Sequence, residues 1–291
     1  MPGFLDHPYQ DLQDGAWLRG NLHAHPRPRE NPASMPARYA EFGYGFVGLT
    51  EHDQFYSLDE IASWEDHGVV LVPGNEVSKG GPHILHVGAD RRVEPHQDRQ
   101  AVVDQINATS GFAIVNHPNL GAEVEHCSLE LMQQWTGYLG LEIFNASGLR
   151  SGDRVRATAT DKWDALLSQG RRLWGFASDD YHQPEHAAMG WNVAYVKDRS
   201  LEGVMEALQR GRFYASNGVA IERIEVNGLQ VRIESSDALR VVAQCDHGRE
   251  LAAAAGPVLE VEVPEEATYV RFECWDADEN CAWTQPFWVV S

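Results

Sequence analysis

Between about residue 16 and residue 215, short apolar runs alternate with amphipathic stretches. The runs cover residues 17–22, 46–50, 69–72, 84–87, 112–116, 139–144, 173–177 and 192–196, each of strand length. Between them, residues 58–64, 100–108 and 160–167 place apolar side chains at helical spacing, and each stretch is followed by a glycine, Gly68, Gly111 and Gly170, as helix ends often are. Strand followed by helix, repeated, predicts parallel strands in a barrel or an open sheet. Residues 201–210 read as a last helix closed by Gly211. Beyond Gly218 the pattern changes to strands at 221–226, 229–234, 239–244, 258–263, 269–275 and 287–290, with Asn227-Gly228 as a hairpin turn between the first two. The expectation is an α/β unit over residues 1–218 and a small antiparallel, β-sandwich-like domain over 219–291. The second unit carries no chemistry-bearing constellation and reads as a packing or oligomerisation module.

The polar residues keep a phase against this pattern. His23, His25, His52, Glu76, His117, Glu142, Asp180 and His182 all fall just after an apolar run. In α/β barrels the active site is built where strands end, and residues scattered over a surface would not hold that position. His23 and His25 are one residue apart, so in extended backbone both rings point to one side. Alone, such a pair is commonly two surface histidines. Its company makes it a metal grip: Thr50-Glu51-His52-Asp53, Pro73-Gly74-Asn75-Glu76, His83, His86, Asn116-His117-Pro118 and Ser178-Asp179-Asp180-Tyr181-His182.

Composition narrows the partners. The chain has 291 residues and a formal net charge of −20, with no cluster of Lys and Arg to meet a nucleic-acid backbone. A small-molecule substrate is expected, with no nucleic acid and no membrane as partner; an anionic substrate is compatible with this charge if bound cations supply the local positive field. The four cysteines form no Cys-x-x-Cys pair and read as reduced, buried residues. The start of the chain lacks a secretory pattern, and no apolar run approaches the roughly 18 residues that span a bilayer, so a cytoplasmic protein is expected.

In order along residues 17–218, these motifs resemble the PHP (polymerase and histidinol phosphatase) superfamily of metal-dependent phosphoesterases: its His-x-His opening, His within Thr-x-His-Asp, Gly-x-Glu, Asn-His-Pro and Asp-x-His. Residues 211–218 also look like the segment that follows the core in two-domain members. The resemblance implies a distorted (β/α)7 barrel with two or three divalent ions, Zn, Mn or Fe, at its mouth. Carried over, one ion is held by His23, His25, Glu76 and Asp180. Glu76 bridges to a second, held also by His117 and by His83 or His86. The family spacing to Gly88 fits His83, whereas the C-terminal end of the 84–87 run fits His86. A third ion takes His52, His182 and Glu30, which stands where the family usually has Asp; the chain reads Arg29-Glu30-Asn31 in place of Ser-Asp-Gly. Glu76, Asp180 and His182 are the residues this places at the reacting centre.

The residue types suit that chemistry. Imidazole and carboxylate ligate Zn²⁺, Mn²⁺ or Fe, and a carboxylate bridges two ions where an imidazole does not. Two ions about 3.5–4 Å apart lower the pKa of a shared water from 15.7 towards about 7, so a bridging hydroxide serves as nucleophile without Ser or Cys. Arg27 and Arg29, after His25, and Arg150, after the 139–144 run, are the candidate contacts for a phosphate oxygen. Glu142, Asn145 and Asp53 read as orienting groups. The activity expected is metal-dependent hydrolysis of a small-molecule phosphate ester; the alternative is hydrolysis of a carbamate or amide, whose carbonyl the same activated water attacks.

Overall fold

Each apolar run between residues 16 and 215 becomes a strand in the structure, a computed structural model that describes residues 3–10, 12–25, 31–121 and 125–290. In chain order the elements are β1 (Phe4–Asp6), β2 (Ala16–Asn21), α1 (Met35–Glu41), β3 (Phe46–Leu49), α2 (Leu58–Ile61), β4 (Val70–Val77), β5 (Ile84–Val87), α3 (Arg99–Asn107), β6 (Phe112–Val115) and α4 (Leu129–Gln134). There follow β7 (Gly140–Asn145), α5 (Ala146–Arg150), α6 (Arg154–Ala157), α7 (Thr160–Leu167), β8 (Trp174–Ser178), β9 (Trp191–Val196), α8 (Leu201–Gln209) and β10 (Phe213–Ser216). The last part of the chain forms β11 (Arg223–Asn227), β12 (Gln230–Glu234), β13 (Arg240–Cys245), β14 (Arg249–Ala255), β15 (Val258–Glu262), β16 (Tyr269–Trp275), β17 (Cys281–Trp283) and β18 (Phe287–Val290). Helix starts are fixed by side-chain caps: Ser57, Asp98 and Ser200 accept from Glu60, Gln100 and Gly203 backbone N–H groups.

The fold is mixed α/β, with parallel ladders β2–β3–β4 and β6–β7–β8. Two expectations are corrected. First, β5 runs antiparallel to both β4 and β6. The link of residues 78–83 is too short for the dozen or more residues a parallel crossover needs, so the chain must turn straight back. Second, the barrel is not closed by ladders: among the described residues none joins β8 to β2. β9 takes the free edge of β2 in antiparallel pairing, and the Asn192 side chain on β9 bonds both the N–H and the C=O of Ala177 on β8, at 3.0 and 2.8 Å. At the mouth a single parallel bridge, Ala24 to Tyr181, spans the gap. His25 N donates to Tyr181 O at 2.7 Å there, and Tyr181 N to His23 O at 3.2 Å.

The C-terminal strands are antiparallel. β10 pairs with β17 and β1 with β18, so β16, β17 and β18 continue the same 15-stranded sheet, while β11, β12 and β15 form a separate one. One core cluster mixes Val115 and Leu141 with Trp283 and Trp288. A buried ion network adds to this: Arg271 on β16 forks onto Asp164 of α7 at 2.7 and 2.6 Å and also meets Glu273 at 2.6 Å. The four cysteines are free and buried.

Candidate metal centre

The turns after β2, β3, β4, β6 and β8, with the N-terminal end of β5, meet at one mouth. At the end of β2, Asn21 is buried and its amide donates to Tyr39 OH (2.8 Å) and His23 O (2.9 Å), holding the backbone so that His23 and His25 face inward. Both rings are fully buried, 4.9 Å apart. His23 Nε2 lies 3.3 Å from Glu76 Oε1 and 3.5 Å from Asp180 Oδ1; His25 Nε2 lies 3.6 Å from Glu76 Oε2 and 3.6 Å from Asp180 Oδ1. Among the described residues neither Nε2 has a hydrogen-bond partner, although both are buried. Unsatisfied buried nitrogens are costly, and these two are aimed at two carboxylates. Atoms about 2.1 Å from a tetrahedral ion stand about 3.4 Å apart, which is the spacing found. The residues therefore fit a divalent cation.

Glu76, at the end of β4, is the hub. It is fully buried. Its Oε1 meets His83 Nδ1 (2.9 Å), His117 Nε2 (3.2 Å) and the Asn116 amide (2.8 Å), and its Oε2 meets His52 Nδ1 (2.6 Å) and Ser78 Oγ (3.1 Å). One oxygen thus faces the His83 and His117 pair while the other faces His25 and His52. Burial pushes the Glu76 carboxyl up, but the imidazoles around it, His23 foremost, outweigh that and hold it well below its ordinary value.

The structure separates His83 from His86. Because β5 is antiparallel, its N-terminal end lies at the mouth, and His83 sits there against Glu76. His86 is buried further along, bonded through Nε2 to Thr109 Oγ1 at 2.9 Å. His52 stacks on His25 with ring centroids 4.1 Å apart, and His182 lies 4.6 Å from His25, so these three imidazoles form a further group. Glu30, Arg27 and Arg29 lie outside the described residues.

Behind the inner ring, Glu142 on β7 binds His23 Nδ1 at 2.7 Å and accepts from Ser178 Oγ (2.5 Å), His117 N (2.8 Å) and Asn145 Nδ2 (2.9 Å). Burial works against its ionisation, and His23 more than compensates, so its carboxyl is lowered. His23 itself is raised well above its ordinary value: burial lowers it, but Glu142, Asp180 and Glu76 together prevail. His25 goes the other way, lowered to about 4, because burial dominates over Glu51. Asp53, His117 and Asp180 each adopt positive φ (49°, 28° and 49°), and all three follow strand ends at this mouth. Left-handed backbone in non-glycine residues costs on the order of 1–3 kcal/mol and clusters where function demands it.

Two placements were not legible from the motifs. His126 packs against His83 and His117, with ring centroids 4.4 and 4.5 Å away, and its Nε2 accepts from His83 N at 2.8 Å. It comes from the loop before α4, with no strand or repeat spacing to mark it. Arg150, expected as a phosphate contact, instead donates to Asp179 O, Asp180 O and Ser147 Oγ, at 2.7, 2.9 and 2.6 Å. An apolar-walled cavity of about 540 Å³, lined by Phe144, Trp275 and Trp283 among others, includes none of the histidines.

This fold is shared with a known structure. A two-domain protein containing a predicted PHP-like metal-dependent phosphoesterase, from Bacteroides vulgatus, matches with a TM-score of 0.56 at 17% identity, over 97% of this chain and 98% of that one. The chain therefore shares the fold of that two-domain protein along nearly its whole length. Looser likenesses, both with a TM-score of 0.43, reach an amidohydrolase from Chromobacterium violaceum (15% identity, 56% of this chain and 87% of that one) and a lesion-specific endonuclease from Pyrococcus furiosus (13%, 79% and 62%). No family model matches the chain, and no curated protein sequence does. Among the described residues no helix is long and apolar enough to cross a membrane.

Proposed function

We propose that this chain is a divalent-metal-dependent hydrolase that cleaves a phosphate ester of a small molecule. The observation that carries the reading is the convergence of the unpartnered Nε2 atoms of His23 and His25 on Glu76 and Asp180. His23, His25, Glu76 and Asp180 would hold one ion, and Glu76, His83 and His117 a second; His52 and His182 offer imidazoles to a third. When bound, the ions supply Lewis acidity and an activated water.

The protein's own groups set up the rest. Glu142, by accepting from His23 Nδ1, leaves the lone pair on Nε2 facing the centre, which is the tautomer a ligand needs. His52 and His182 have side chains 40% exposed, against 0% for His23 and His25, so a substrate approaches from their side. His52 and His182 are then the groups of the set best placed to touch a substrate. The phosphate ester is favoured by the ordered motif set, and the cluster's carboxylates would repel such a substrate unless cations were bound. All of these residues precede Ser216, which supports reading 1–218 as the hydrolase unit and 219–291 as a packing unit.

The test is turnover of p-nitrophenyl phosphate and bis-p-nitrophenyl phosphate by protein first stripped with chelator and then given Mn²⁺. Metal-restored hydrolysis of either ester is expected. Hydrolysis of p-nitrophenyl acetate alone would replace this reading with the carbonyl one, and no metal response with any substrate would overturn both.

A further inference from the structure

Three of the ligand-bearing turns have a cation behind them, two of them buried and the third half-buried, bonded to backbone carbonyls. After Glu76, Arg99 donates to Val77 O and, at 3.1 Å, to Lys79 O. After His117, the Lys162 ammonium donates to Pro118 O (3.1 Å) and Cys127 O (2.7 Å). At Asp180, Arg150 takes the carbonyls of Asp179 and Asp180. Among the described residues, only the third latch also reaches a metal-facing side chain. Ser147, three residues before Arg150 on α5, receives one of its N–H groups and donates its own hydroxyl to Asp180 Oδ2 at 2.6 Å.

We propose that Arg150, acting with Ser147, is a positioning residue that fixes both the backbone and the carboxylate of Asp180 as a metal ligand; this rests on the metal reading given above. Both terminal nitrogens of Arg150 are spent on protein acceptors, so its charge serves the turn and not a substrate. The turn needs holding. Asp180 has a left-handed φ of 49°, a conformation that persists only where the surroundings over-determine it. The guanidinium fork matches two adjacent carbonyls and a hydroxyl at once. Ser147 leaves Asp180 Oδ1 to face His23 and His25 by occupying Oδ2.

The experiment measures Mn²⁺ and Co²⁺ affinity by chelator competition, with elemental analysis, for the wild type, Arg150→Ala, Arg150→Lys and Ser147→Ala. Groups that orient ligands typically contribute 10–100-fold in metal affinity. Arg150→Ala is expected to weaken one ion by about that factor while leaving the ion shared by His83 and His117 close to its wild-type affinity. Ser147→Ala should fall between Arg150→Ala and the wild type. Arg150→Lys should recover part of the loss, because an ammonium meets two carbonyls at the neighbouring turn, as Lys162 shows. Far-UV circular dichroism of the metal-free variants should match the wild type. Wild-type affinities in Arg150→Ala would overturn the proposal, as would a loss equal at both ions accompanied by loss of the metal-free fold. A wild-type protein that binds no ion would overturn the metal reading beneath it, a result visible before any substitution is made.

Discussion

Glu142→Gln is the sharpest single perturbation of the centre, because it changes one atom and no volume. Each carboxylate oxygen of Glu142 accepts two hydrogen bonds: Oε1 from His23 and Ser178, Oε2 from His117 N and Asn145. A glutamine amide must place its NH₂ at one of these positions. Placed at Oε2, it faces two donors, one of them a backbone N–H that cannot turn away. Leaving buried donors unpaired costs about 1–3 kcal/mol. Placed at Oε1, the NH₂ makes His23 Nδ1 an acceptor, which moves the ring proton to Nε2 and covers the lone pair aimed at Glu76 and Asp180. Either outcome damages the ligand. Loss of such an orienting carboxylate costs about 10–100-fold in metal affinity, or about 1.4–2.7 kcal/mol. The assay is chelator competition with Mn²⁺ on protein whose metal-free circular dichroism matches the wild type. Unchanged affinity in Glu142→Gln would refute the role given to Glu142 and, with it, the tautomer assigned to His23.

Other predictions follow from neighbouring contacts. His83→Ala should lose one bound ion by elemental analysis, whereas His86→Ala should keep the full complement, since His86 bonds Thr109 and not Glu76. His86 is lowered from 6.5 to about 4, chiefly by burial, so the folded state favours its neutral form. That stability is present above the unfolded value and is lost as pH falls from 6.5 to about 4, amounting to about 3 kcal/mol. Urea unfolding of His86→Gln should therefore show a destabilisation relative to the wild type that shrinks by about this much between pH 7 and pH 4. Arg271→Met leaves Asp164 and Glu273 buried without their cation and should cost about 3–5 kcal/mol in urea unfolding. Chelator should lower the melting temperature, because ions at 100 times their Kd contribute about 2.7 kcal/mol.

The parts of this picture legible in the sequence are those that local pattern encodes. Apolar runs bounded by polar turns mark the strands, and residues such as His23, Glu76 and Asp180 announce themselves by following those runs. Direction is not encoded in the same way. Residues 84–87 read as the same strand whichever way they run, and only the short 78–83 link shows that β5 turns back, which is what sends His83 and not His86 to the mouth. Closure is equally silent: that β9 would occupy the edge of β2, with Asn192 standing in for a ladder, is a matter of long-range packing. β14 contains Leu251-Ala252-Ala253-Ala254-Ala255, which lacks strand propensity and forms by pairing with β13. Arg150 shows the limit for side chains. Its charge and place beside a strand end were visible, but its partners are two backbone carbonyls and the Ser147 hydroxyl, which the sequence does not single out.

The central claim is that Glu76 stands between two cation positions. Anomalous diffraction from crystals grown with Mn²⁺ tests it directly. Two peaks are expected, one among His23, His25, Glu76 and Asp180 and the other beside His83 and His117, with the Glu76 carboxylate between them. An absence of peaks at this mouth, or peaks bound elsewhere on the chain, would contradict the account.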